Sequence, residues 1–292
     1  MGAILINGTG YSPAVRAAPT APELKIVRTL ETNDVFGEAF FRAGKPDLSG
    51  VGFPPGAHTL LLLNRAAGHA GLALTSPPKN GNGEMARTLL EIADPINIAF
   101  DSVSRGAKGY GSARLFILDA KPGELITVPA GPRDTMEPAK IKRFDARGFG
   151  IVNPQGMTVD PATGRLFVLE QGASPPHLVI IQPKPGHQFA QAETSQIALP
   201  SGMGNLRGIA FNPADGHLYL LSTEQQKLYK VNPGGKPVAY LGIPGPQIGA
   251  ALGLVFAPSL DLTDQPSIFH LYLVTERRPA GETTEWALPE TF

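Results

Sequence analysis

With 292 residues the chain can bury a sizeable core, and its 34 glycines and 29 prolines leave few stretches where a long helix could run. Its 25 basic and 25 acidic side chains cancel, which removes the basic excess that nucleic-acid binding needs, and no segment approaches the about 18 apolar residues of a membrane span. Cysteine is absent, which excludes disulfides and thiolate metal sites and suits an extracytoplasmic or secreted protein.

Residues 1–22, rich in Ala, Pro and Thr, read as a tail, and residues 23–292 as a single domain. The tail's apolar stretch, residues 3–6, is too short for a signal-peptide core. Residues 23–32, ELKIVRTLET, alternate as a strand but have no partner strand just after them. Short apolar runs bounded by Asn, Pro, Asp and Gly then recur in groups of four. The first group is 49–51, 60–63, 71–74 and 88–92. The second is 96–100, 115–118, 125–128 and 141–144. The third is 156–159, 166–169, 178–181 and 196–199, and the fourth 208–211, 218–221, 228–231 and 238–241. The fifth, 253–256, 271–274 and 284–288, is one strand short.

Four-stranded antiparallel units repeated at this spacing predict an all-β fold, a β-propeller. The count gives five blades, with six possible if two units are merged. An open array would leave unpaired edges. Residues 23–32 are therefore expected to complete the fifth unit beside the strand around Trp286 and close the ring. Spacing supports the alignment: Gly50 to Asn64, Gly156 to Glu170 and Gly208 to Ser222 are each 14 positions. Asn97 to Asp119 and Gly253 to Thr275 are 22, so the second and fifth units carry eight-residue insertions, around residues 104–111 and 261–267.

The phrases NPQGMTVDPATGRLFVLEQ (153–171) and LRGIAFNPADGHLYLLS (206–222) resemble the repeats of NHL-type bacterial propellers. They are also similar to the wider group of regucalcin, gluconolactonase and the esterase-like propellers of phytase-related proteins. Residues 253–289 look like the last blade of bacterial proteins of that group, which are often exported. The regucalcin resemblance implies a divalent metal held by an N-terminal Glu near a Gly, an Asn before the Gly of one inner strand and an Asp before the Gly of the next. Glu38, which follows Gly37, stands in for the first, and Asn97 of the second unit is the candidate for the second, although Ile98 rather than Gly follows it. No Asp stands before an inner-strand glycine, where this chain has Ser49, Gln155, Arg207 and Leu252, and Arg207 would bring positive charge toward a metal.

The leading expectation is therefore a non-enzymatic propeller that binds a small molecule or protein partner on one face. A metal-dependent lactonase or esterase is the alternative, and a structural subunit of a larger assembly is a third reading. Asp261 and Asp264, within four residues of each other, form a calcium candidate. His58, His217 and His270 each precede a second-strand run, where a ring would keep them apart, so they are expected to be exposed strand-start residues rather than ligands. No G-x-S-x-G elbow and no H-E-x-x-H occurs.

The functional face is placed where each first strand starts beside the end of its second strand. The expected pairs are Ser49 with Asn64, Asn97 with Asp119, Gln155 with Glu170, Arg207 with Ser222, and Leu252 with Thr275. Nine of the ten are polar. Polar groups converging at one mouth of a ring suit a binding site. Arg207, the one cation in the set, is expected to clamp an anionic ligand or to pair with Glu170.

Overall fold

The computed structural model describes residues 22–31, 48–52, 60–64, 70–75, 87–90, 92–101, 114–121, 123–129, 140–172, 175–184, 188–244, 248, 251–259, 261, 263–265, 267–275 and 282–289. Glu38, His58 and the whole of the 104–111 insertion lie outside these.

After the N-terminal β1 (Lys25–Glu31), the strands fall into successive antiparallel sheets. The first contains β2 (Leu48–Gly52), β3 (Leu60–Asn64), β4 (Ala70–Thr75) and β5 (Arg87–Leu90). The second contains β6 (Pro95–Asp101), β7 (Arg114–Asp119), β8 (Glu124–Pro129) and β9 (Lys142–Asp145). The third contains β10 (Pro154–Asp160), β11 (Arg165–Glu170), β12 (His177–Lys184) and β13 (Gln188–Ala198). The fourth contains β14 (Leu206–Asn212), β15 (His217–Ser222), β16 (Lys227–Val231) and β17 (Pro237–Gly242). The fifth joins β18 (Ala251–Pro258), β19 (Phe269–Thr275) and β20 (Glu282–Ala287) to β1, in the order β1-β20-β19-β18. This is an all-β propeller of four-stranded antiparallel blades. Each first strand packs against the first strand of the next sheet, and β18 packs against β2.

Local chemistry explains the repeated hairpins. In DPATG, Asp160 accepts from the Ala162 amide at 2.9 Å and the Thr163 hydroxyl at 2.7 Å, and Gly164 takes a φ of 69°. In NPADG, Asn212 accepts from the Ala214 amide at 3.0 Å and Gly216 takes a φ of 71°. A short side-chain acceptor starts each turn, and a glycine tolerates its left-handed end.

The second strands β7, β11, β15 and β19 are buried on both faces because blades pack face to face. Phe116 and Leu118 of β7 join Met157, Val159, Leu166 and Val168 of the third blade in one cluster. Leu115 and Ile117, the alternate residues, pack with Ile98 and Phe100 in another. The same alternation sends Phe167 and Leu169 toward the fourth blade, and Tyr219 and Leu221 toward the fifth. The core thus lies between blades.

Near the axis the blades nearly touch, and in two first strands a side chain would crowd the neighbouring backbone. A Cβ at Gly253 would stand 2.7 Å from the Val51 amide nitrogen, and one at Gly50 would stand 3.2 Å from Ile98 N. Asn97 holds the corresponding position in β6, opposite Leu118 as Gly50 is opposite Leu63.

The N-terminal segment touches two blades. Gly242 of β17 donates to the Pro22 carbonyl at 3.0 Å, and Leu24 donates to the Gly242 carbonyl at 3.1 Å. The chain then crosses to β20, where Ile26 lies opposite Trp286. Leu24, 3% exposed, sits in the core between the fourth and fifth blades.

Candidate functional site

Every first strand begins with the same irregularity. In β10, Pro154 lies opposite Glu170 but Gly156 lies opposite Leu169, so Gln155 is an extra residue. Ser49, Ile96, Arg207 and Leu252 are skipped in the same way in β2, β6, β14 and β18. A one-residue bulge re-aims a side chain and strengthens the local twist. It also corrects the expected pairing, by one residue in four blades and by two for Asn97 with Asp119. The second-strand ends Asn64, Asp119, Glu170, Ser222 and Thr275 lie opposite Leu48, Pro95, Pro154, Leu206 and Ala251. Asn97 is not the bulged residue of its blade. That place belongs to Ile96, and Asn97 is buried at 3% exposure in the glycine position.

Two of the second-strand ends, Asp119 and Glu170, brace the entering chain. Asp119 accepts from the Ala93 amide at 3.0 Å and the Asp94 amide at 2.8 Å. Glu170, 1% exposed, accepts from the Asn153 amide at 2.8 Å through Oε2, and its Oε1 is buried without a hydrogen-bond partner. The Ser222 hydroxyl, in a fully buried side chain, accepts from the Gln225 amide at 3.3 Å. Thr275 is half-buried.

Arg207 pairs with Gln155 of the neighbouring blade, not with Glu170. Arg207 Nη1 donates to Gln155 Oε1 at 2.5 Å. Gln155 Nε2 faces two oxygens of Asn153, the carbonyl at 3.3 Å and Oδ1 at 3.2 Å. Asn153 Nδ2 donates to the Gln171 carbonyl at 2.7 Å, and Gln171 Oε1 accepts from the Leu206 amide at 2.9 Å. The circuit returns to Arg207 through the backbone and ties the third blade to the fourth. Asn153 and Gln171 complete it, although neither stands out as an isolated residue. Their only signal is their place at the two ends of the repeated phrase 153–171.

The remaining candidates lie elsewhere. Asp261 Oδ1 accepts from both the amide and the hydroxyl of Thr263, at 2.9 and 2.7 Å, and the Asp264 amide donates to the Asp261 carbonyl at 3.1 Å. The two Thr263 hydrogen bonds, first the amide and then the hydroxyl, hold the exposed Asp261 carboxyl below the ordinary aspartate range. Among the described residues no group of three or more His, Asp or Glu side chains is placed to hold a metal ion.

His270 departs from its expected exposure. It is 8% exposed, and its Nδ1 lies 2.6 Å from Oε1 of the fully buried Glu285, whose Oε2 is 3.7 Å from Arg28 Nε. The corresponding pair in the fourth blade is His217 with Asp215, Nδ1 lying 2.8 Å from the Asp215 carbonyl. Asp215 Oδ2 also receives the Tyr219 hydroxyl at 2.6 Å and lies 3.2 Å from Lys230 Nζ. Burial first, then the Asp215 carboxylate, raises the Tyr219 phenol far above its ordinary value. Both groups sit at the hairpin end of the blades, away from the bulges. No described helix is long and apolar enough to cross a membrane.

Comparison with known proteins agrees on the fold. A chain of the nidogen/laminin complex is 17% identical over 78% of this chain and 72% of its own, with a TM-score of 0.51. The PQQ-bound aldose sugar dehydrogenase of Streptomyces coelicolor is 16% identical over 92% of this chain and 99% of its own, with a TM-score of 0.44. The Cps50 (Swd1) β-propeller domain of Myceliophteria thermophila is 11% identical over 83% and 84%, with a TM-score of 0.42. No protein-family model and no curated protein sequence matches the chain. At these identities the likeness extends to the β-propeller fold alone.

Proposed function

We propose that this chain is a binding propeller of the NHL-like kind, acting outside the cytoplasm, whose bulged mouth receives a small-molecule or protein partner. The reading takes the sheets as five blades of one ring, with β1 as its latch. The observation that carries it is the inter-blade circuit at the mouth. An exposed arginine is fixed there by Gln155, itself oriented by Asn153, so a polar contact surface is organised before any partner arrives. At the opposite end two such groups face an oppositely charged or ionisable partner, His270 with Glu285 and Lys230 with Asp215.

A fragment mixture monitored by backbone amide NMR tests the reading. Binders are expected to shift Asn153, Gln155, Gln171 and Arg207. Shifts confined to the hairpin turns at Asp160–Arg165 and Asn212–His217 would overturn it, as would a complete absence of shifts.

A further inference from the structure

Resting on that reading of the mouth, we infer that its ligand class is a carboxylate, taken by the Nε/Nη2 edge of Arg207. The group that holds the arginine decides the class. Gln155 Nε2 faces the two Asn153 oxygens, so its Oε1 must face Arg207. The partner of the guanidinium is therefore neutral, and the positive charge is kept rather than cancelled. Glutamate in place of Gln155 would match its shape and remove that charge.

Arg207 is exposed, and among the described residues it has no carboxylate partner. In the third and fourth blades the acidic side chains Glu170 and Glu224 at this end are engaged with backbone amides. Glu170 accepts from Asn153, and Glu224 accepts from Asn205 at 3.3 Å. Gln155 occupies Nη1, which leaves Nε–H and the neighbouring Nη2–H parallel on one side. That fork matches the two oxygens of a planar carboxylate. Because the network already fixes the side chain, little rotamer entropy remains to be lost on binding.

Benzoate and its neutral isostere benzamide are the probes, titrated against the wild-type chain, Gln155→Glu and Arg207→Gln. The backbone amides of Asn153, Gln171 and Leu206 are followed by NMR, and thermal unfolding confirms that each variant is folded. Benzoate is expected to give saturable shifts in the wild type and benzamide none. Apparent affinity is expected to fall at least tenfold in both variants, each still showing a cooperative thermal transition. Benzoate binding that survives Gln155→Glu, an equal response to benzamide, or no benzoate response in the wild type would each overturn the inference. Benzamide shifts at the mouth that are indifferent to Arg207 would remove only the carboxylate class and leave the mouth as the binding face. Shifts located solely at the opposite hairpin turns would remove both.

Discussion

At the scale of single residues, two glycines in matching strand positions respond to different surroundings. A Cβ at Gly253 would meet backbone, Val51 N at 2.7 Å and Gly50 C at 3.2 Å. A Cβ at Gly208 would meet only side-chain carbons, the nearest being Leu254 Cβ at 3.5 Å. Backbone held in a ladder cannot shift without disturbing both sheets. Gly253→Ala is expected to lower stability by about 1–3 kcal/mol, and Gly208→Ala to change it by less than about 0.5 kcal/mol. Denaturant titration of both variants checks the contrast, and equal losses would contradict it. Asp261 gives a second expectation at this scale. Its folded-state carboxyl is depressed, so its contribution to the loop is present above the ordinary aspartate range and is lost as pH falls through the folded value. Side-chain NMR titration should show a midpoint below that of a free aspartate. Thr263→Ala should move it upward by removing the hydroxyl donor. A downward shift in that variant would exclude Thr263 as the cause.

At the scale of elements, the terminal strand can be tested directly. β1 covers the edge of β20, and Leu24 fills the core between two blades. Deleting residues 1–32 would expose the β20 edge and open that core, so a sharply lower melting temperature and aggregation are expected. Deleting residues 1–20 should do little. Leu24→Ala alone is expected to cost about 2–5 kcal/mol. An unchanged melting temperature after the longer deletion would show that β1 does not matter to the fold.

The strands are legible in the sequence because their boundaries are chemical: Asp160-Pro161 and Asn212-Pro213 start turns, and apolar runs of fixed length follow. The bulges are not legible. Whether Gln155 or Pro154 faces Glu170 depends on hydrogen-bond register, and a shift of one residue leaves the apolar pattern readable either way. For the same reason Arg207 can be recognised as a cation at the mouth, but its partner cannot. Gln155 lies 52 residues earlier and meets it only once two blades are side by side. The pairing of His270 with Glu285 likewise follows from strand adjacency, since the two are 15 residues apart and carry no shared motif.

At the scale of the molecule, position in the sheet and position in the chain separate. β1 comes first in sequence, yet it belongs to the sheet of β18, β19 and β20. It runs antiparallel to β20, with Lys25 opposite Ala287, so the start of β1 adjoins the end of β20. A short turn from the residues after Ala287 to those before Lys25 would make the pair an ordinary hairpin. The existing covalent connection instead runs from β1 to β2 in the next blade. If the ring is held by ladder hydrogen bonds and inter-blade packing, that connection is dispensable. A permuted chain, residues 48–289 followed by a short Gly-Ser turn and residues 22–31, is therefore expected to fold. Its melting temperature should lie within a few degrees of the original, because every strand keeps its neighbours and the new loop closes a shorter distance in sequence. The same permutant without residues 22–31 should aggregate like the deletion. If the permutant misfolds while the chain lacking residues 1–20 remains stable, the connection from β1 to β2 would itself be needed for folding. A folded permutant would assign the stability of the ring to edge pairing and inter-blade contact. The mouth circuit between Gln155 and Arg207, built wholly from the third and fourth blades, should then keep its amide chemical shifts unchanged.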